Sequence, residues 1–182
     1  MATHQENFHR MCLAGWLIGR FGIKSWVECG VLEGETVGYF SQFVPDSFGL
    51  GCDLNDQAVK IGQQRYPRIH LETANAVEWL RRIDPPRPSM FYMDTVWVAD
   101  RLLHQQMEIV KQRWPEAIVF VNNLDMPGSL GQNLTKPAEL QHYGRVIVPD
   151  YSMPRPVAAY GVIVPDDAEL PPFSHWKVLP RS

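Results

Sequence analysis

The stretch Val27-Glu28-Cys29-Gly30-Val31-Leu32-Glu33-Gly34 decides the fold. Ser25-Trp26-Val27-Glu28-Cys29 is short and mostly apolar, which predicts a strand. Gly30 and Gly34 lack a β-carbon, so the chain can turn sharply and bring its backbone close to a ligand. A helix over about residues 35–43 should follow, with Val37, Phe40 and Val44 inward, until Pro45-Asp46-Ser47 stops it. Strand, glycine turn and helix in that order make the first unit of an α/β fold.

The alternation continues on both sides. Residues 4–20 predict a helix in which Phe8, Met11, Cys12, Gly15, Trp16 and Gly19 recur at three- and four-residue steps. Further strands are expected at 48–53, 69–72, 89–94 and 117–121. Between them come a helix capped by Asn55, a short helix over 76–83, and a long one over 98–114. The long helix carries Leu102, Leu103, Met107 and Val110 on one side. Near-continuous apolar runs such as 118–121 suit strands buried on both faces, hence a parallel sheet with right-handed crossovers. Prolines accumulate after Met126, and two apolar runs, 145–148 and 159–164, survive among them. No helix-length segment separates these runs, which predicts an antiparallel edge pair. The expected fold class is α/β, Rossmann-like and doubly wound, with a mostly parallel sheet and that late antiparallel pair. One domain should span 1–182: an N-terminal helix (1–22), a cofactor-binding core (23–128) and proline-rich strands and loops (129–182).

Bulk properties narrow the function classes. A chain of 182 residues, 45% hydrophobic and 20% charged, can bury a full core without staples. Seventeen basic residues against 20 acidic ones give a net charge of -3. That is no footprint for nucleic acid and no polybasic membrane patch, so the expected partner is a small molecule. Cys12, Cys29 and Cys52 are odd in number, lack CxxC spacing and sit among apolar neighbours, which predicts buried thiols in a reducing cytoplasm. The polar start Met1-Ala2-Thr3-His4 has no signal core, and no apolar run approaches the ~20 residues of a membrane span.

In an open parallel sheet, ligands bind beyond the carboxyl ends of the strands. Those ends carry Glu28 with the glycine turn, Asp53-Leu54, Asn75-Ala76, Asp94-Thr95 and Asn122-Asn123. Asp53 follows Glu28 by about 25 residues, close to the ~20 typical of an acid that accepts both ribose hydroxyls. It also reads as a helix cap, as does Asp94. The turn has neither Gly-x-Gly-x-x-Gly nor a Gly-Lys-Ser/Thr step, so it is not a pyrophosphate cradle. Glu33 and Glu35 bracket Gly34 and should repel an anion. S-adenosylmethionine, which has no phosphate and carries a sulfonium and an ammonium, suits an acidic turn better.

The stretch from Glu28 to Gly34 resembles the acid-x-Gly-x-x-x-Gly motif of class I S-adenosylmethionine-dependent methyltransferases. The resemblance takes in Asp53, Asn75-Ala76 and Phe91-Tyr92-Met93-Asp94, over roughly residues 26–128. Within that superfamily, Val121-Asn122-Asn123-Leu124-Asp125-Met126-Pro127-Gly128 is similar to the region after strand five of small catechol-type O-methyltransferases. The resemblance implies a cofactor site made of Glu28, Cys29, Gly30, Val31, Glu33, Gly34, Asp53, Leu54, Asn75, Ala76 and Asp94. Asp94 and Asn122 would be the residues nearest the chemistry. The family places magnesium on carboxylates at these strand ends; here Asn122 stands where it has Asp, and a lysine usual after the strand-four acid is replaced by Thr95-Val96-Trp97. Hard cations depend on carboxylate charge, so no metal ligand is assigned.

The expected activity is methyl transfer to a small acceptor. Two alternatives stand beside it: a binding or regulatory protein that kept the cofactor site and lost catalysis, and a nucleotide-linked oxidoreductase. His104 reads as a packing or surface residue. Trp97, Trp114, Tyr143, Tyr151 and Trp176 are candidates for an acceptor pocket or for the core, and exposed Trp16, Phe173 or Trp176 for a homodimer contact.

Overall fold

The computed structural model describes residues 4–95, 100–124, 135–149, 159–169 and 176–179. The elements run α1 (His4–Phe21), β1 (Ser25–Cys29), α2 (Glu35–Phe40), β2 (Gly49–Asp53), α3 (Asp56–Arg65), β3 (His70–Thr73), α4 (Ala76–Arg82) and β4 (Ser89–Met93). Then follow α5 (Asp100–Arg113), β5 (Ile118–Leu124), β6 (Arg145–Pro149), β7 (Ala159–Val164) and β8 (Trp176–Val178). They build one sheet of order β3-β2-β1-β4-β5-β7-β6-β8.

Strands β1 to β5 pair in parallel. All five residues of β1, and all five of β4, are buried, as strands covered on both faces must be. The late strands are antiparallel neighbours, as their spacing predicts, but they do not form an isolated pair at the rim. β7 inserts between β5 and β6 and runs against both, so β6 points the same way as β5. β8 adds an outer antiparallel strand on β6. Its three residues lie in the proline-rich tail and are too few to show a period.

Chain order runs outward from β1 to β3 on one side and from β4 to β5 on the other. The reversal lies between β1 and β4, and a crevice therefore opens beyond their carboxyl ends.

Each face of the sheet has its own core. Val27, Cys29, Phe91, Met93, Val119 and Val121 pack under α4 and α5 through Leu80, Leu103 and Met107. Trp26, Met90, Tyr92, Ile118 and Phe120 pack under α1, α2 and α3 through Leu13, Leu17, Val37, Phe40 and Val59. In α1 the buried stripe is Leu13, Ala14, Leu17 and Ile18. Cys12 and Gly19 are exposed and Trp16 is half-buried, so the face inferred from their spacing is rotated away from the sheet. Two apolar stripes compete on this helix, and the branched residues bury because they fill the sheet's groove better than glycine. Cys12 is accordingly a surface thiol; Cys29 and Cys52 are buried. Helix α2 stops at Phe40, and residues 41–43 tighten into a 3-10 turn.

Trp26 anchors the second face. It is fully buried and stacks on Phe40 with ring centroids 4.3 Å apart. Truncation leaves a large void in a close-packed interior. Trp26→Ala should cost about 3–5 kcal/mol, read as a lower denaturation midpoint with unchanged slope.

Candidate functional site

The turn after β1 is fastened from below. Gly30 and Val31 donate their N–H groups to the Cys52 carbonyl at 2.8 and 3.2 Å. Leu32 donates to Asp53 Oδ2 at 2.9 Å, and Gly34 donates to the Val31 carbonyl at 2.7 Å. Asp53 Oδ1 accepts the Asn55 N–H at 2.9 Å. Asn55, not Asp53, caps α3, accepting from the Ala58 N–H at 3.1 Å. Asp53 is thus a brace between the β1 and β2 turns. An ionised carboxylate has about four lone-pair sites, so it can still accept ribose hydroxyls. Gly30 sits at φ +88°, and a β-carbon there would lie 2.6 Å from the Asp94 carbonyl oxygen. The two central strand ends therefore close on each other only with glycine at this position.

Two adjoining cavities occupy this edge. The first, of about 370 Å³, is walled by Asp53 and Leu54 after β2, Ala74, Asn75 and Ala76 after β3, and Asp94 and Thr95 after β4. Cys52 and Leu102 complete it, and its wall is largely apolar. Asn75 turns its side-chain oxygen inward to cap α4, accepting from Val77 at 3.0 Å, which aligns Ala76 along the wall. The second cavity, of about 450 Å³, lies over the turn and is ringed by Glu28, Glu33, Glu35, Thr36 and Asp94. Gly30, Leu32 and Asp94 line both. Both volumes fall in the ordinary range for small-molecule sites, ~300–1,000 Å³.

Glu28 is 2% exposed and its Oε2 has no hydrogen-bond partner. Burial pushes its pKa well above the carboxylate range, and the nearby Asp94 charge pushes it further. The Trp26 indole and the Val37 backbone pull the other way without offsetting this. Asn122 donates its Nδ2 to Asp94 Oδ1 at 2.9 Å, while its own Oδ1 is buried and unpartnered. A second carboxylate at position 122 would need a cation between it and Asp94. The amide supplies the positive end of a dipole instead, so this pair does not fit a magnesium site. Among the described residues, no group of three or more His, Cys, Asp and Glu side chains is placed to hold a metal ion.

The acidity of the turn is partly cancelled. Arg65 of α3 pairs with Glu33 at 3.0 Å and with Glu35 at 3.1 Å. Repulsion of an anion by these two carboxylates is therefore weaker than their sequence positions suggest. Consumption of the turn's amides is the stronger reason against a phosphate.

Of the residues that the resemblance implies, Glu28, Gly30, Val31, Glu33, Asp53, Leu54, Asn75, Ala76 and Asp94 each line one or both of these cavities. Gly34 shapes the entry to α2 at φ 75° and lines neither cavity. Cys29 points into the core beneath α4 and α5. Asn122 reaches the site through Asp94. Trp97, Tyr151 and Phe173 lie outside the described residues, as do the side chains of Asn123 and Trp176. Trp114 is buried and belongs to the core. His104 meets Tyr143, with Nδ1 3.1 Å from the phenol oxygen, which ties α5 to the 3-10 helix at 137–143. Leu32, Thr36, Cys52 and Leu102 also line the cavities without standing out as site residues in the sequence. Only Leu32 carried a signal, since a branched residue stood in the middle of the glycine turn.

No family model matches the sequence, and no curated protein does. Solved structures do match. The methyltransferase domain of bacterial CtHen1-CN aligns at TM-score 0.60 and 14% identity, covering 87% of this chain and 98% of that one. An O-methyltransferase from Bacillus cereus, in complex with SAH, aligns at TM-score 0.60 and 13% identity, over 90% of this chain and 82% of that one. The sugar N-methyltransferase KedS8 from Streptoalloteichus aligns at TM-score 0.59 and 12% identity, over 92% and 94%. The fold is that of class I S-adenosylmethionine-dependent methyltransferases.

The raised pKa of Glu28 has a signed consequence. A carboxyl whose folded pKa lies above its unfolded value adds stability at low pH and loses it as pH rises through the folded value. From the ordinary value of 4.5 upward, the wild-type chain should lose stability relative to Glu28→Gln. Denaturation midpoints at acid and alkaline pH should therefore diverge, with the variant the more stable above neutrality. Parallel pH profiles would refute the assignment.

Proposed function

We propose that this chain binds S-adenosylmethionine and transfers its methyl group to a small-molecule acceptor. One observation carries the reading: an apolar cavity at the ends of β2 and β3 adjoins an acidic one over the β1 turn, with Gly30, Leu32 and Asp94 common to both. A nucleoside joined to a short cationic chain has that division of chemistry. The similar solved structures named above include methyltransferases of O- and sugar-N-type, which supports the reaction class and leaves the acceptor open.

In this reading Asp53 accepts from the ribose hydroxyls while still bracing Leu32 and Asn55. Ala74 and Ala76 flank the base without bulk. Glu28 and Asp94 face the cationic chain, and a cation beside Glu28 favours its ionised form despite burial. Asn122 fixes the Asp94 carboxylate by its amide hydrogen bond. The cofactor supplies an activated methyl on a sulfonium, open to in-line displacement by a nucleophile. The chain's own contribution is then position and charge, which hold two reactants in line and need no metal.

A catalytically degenerate binding protein is the second reading, favoured by Asn122 at the position where the resembling enzymes keep a carboxylate. A nucleotide-linked oxidoreductase fits worse, because the turn's amides at Gly30, Val31, Leu32 and Gly34 are already spent inside the protein. Calorimetry with S-adenosylmethionine and with NAD separates these. Binding of the first alone is expected, and binding of neither would sink all three readings. Asp53→Ala should weaken S-adenosylmethionine at least tenfold, about 1.4 kcal/mol, in a variant whose circular dichroism is unchanged.

A further inference from the structure

Leu32 combines features that ordinary folding does not favour together. It sits at φ +46°, in the left-handed region that branched side chains rarely adopt. The residue is 63% exposed, so no core packing repays that conformation. Its amide is clamped by Asp53 Oδ2, which holds the backbone where it is. The side chain stands where the apolar and acidic cavities meet, and lines both. Leu54, 64% exposed, borders the apolar cavity from the β2 turn. Strain of this kind persists where the surroundings over-determine it, and it clusters at ligand clamps.

We infer that Leu32 is a ligand clamp and a specificity-determining residue: its side chain closes over the nucleoside at the junction of the two cavities. This deepens the methyltransferase reading and rests on it for the identity of the full cofactor. Held at this backbone position, the residue borders both cavities while most of its surface stays in solvent. Ligand binding buries apolar surface that is otherwise wet, and that gain belongs only to the bound state. Because the Leu32 amide is spent on Asp53, the position contributes an apolar contact and no anion-binding donor. A ligand with an uncharged nucleoside at this junction is favoured over one that places a phosphate there. The glycine that would relax the turn would also remove the clamp.

The test uses Leu32→Gly and Leu32→Ala with adenosine and S-adenosylhomocysteine as probes. Both variants lose the side chain, but only alanine retains the steric cost of positive φ. The glycine variant should melt above the alanine variant by about 2–4 °C. Both should bind adenosine and S-adenosylhomocysteine at least fivefold more weakly than wild type, by calorimetry on folded protein. Wild-type affinity in either folded variant overturns the clamp, as does an alanine variant that melts at or above the glycine variant. If one variant fails to fold, the affinity of the other decides. If wild type binds adenosine but not S-adenosylhomocysteine or S-adenosylmethionine, the proposed function falls, and Leu32 is judged on adenosine alone. If wild type binds none of them, both proposals fall.

Discussion

The close approach of Gly30 to the Asp94 carbonyl is the constraint on which the site depends. The Asp94 N–H donates to the Cys29 carbonyl at 2.9 Å, which extends the β1–β4 pairing to the rim of the sheet. Any β-carbon at position 30 would strike the Asp94 backbone. With glycine there, the turn folds back over β2, and a single carbonyl, that of Cys52, accepts two of its amides. This closure sets the distance between the β1 turn and the β4 tip, and so it shapes both cavities. The carboxylates of Glu28 and Asp94 are brought near each other as a by-product of backbone geometry.

That proximity has an electrostatic cost which the chain distributes. Glu28 tends to hold its proton, because it is buried and faces another acid. Asp94 is held by the Asn122 amide. Farther out, Arg65 pairs with Glu33 and Glu35 at the surface, where screening limits its effect to orientation more than stability. The edge is therefore graded from a buried, proton-retaining acid to solvated ion pairs. A cationic group entering between them meets acceptors without displacing a resident partner of Glu28 Oε2.

Much of this was legible along the chain. Parallel strands announce themselves by uninterrupted apolar runs, so β1 and β4 could be placed within a residue, whereas β5 runs three residues past its expected end because its last residues, Asn122-Asn123-Leu124, break the apolar run. Asn55 caps α3, as expected, through a local hydrogen bond to a neighbour three residues away. The rotated face of α1 was not legible, because two stripes satisfy a helical period and only the sheet's surface chooses between them. Strand β8 and the insertion of β7 between β5 and β6 depend on long-range pairing that no local period encodes.

By itself, the amino-acid sequence determined the strand–turn–helix alternation, the sheet edge that holds the candidate site and the set of polar residues at it, because those follow from local spacing and from backbone freedom at glycine. Tertiary structure alone decided what each of those residues does. It turned Asp53 into a brace, spent the turn's amides, cancelled part of the turn's acidity through Arg65, and set Leu32 across two cavities. The physical reason is that hydrogen bonds and ion pairs go to whatever partner folding brings within about 3 Å. Such partners lie tens of residues away along the chain.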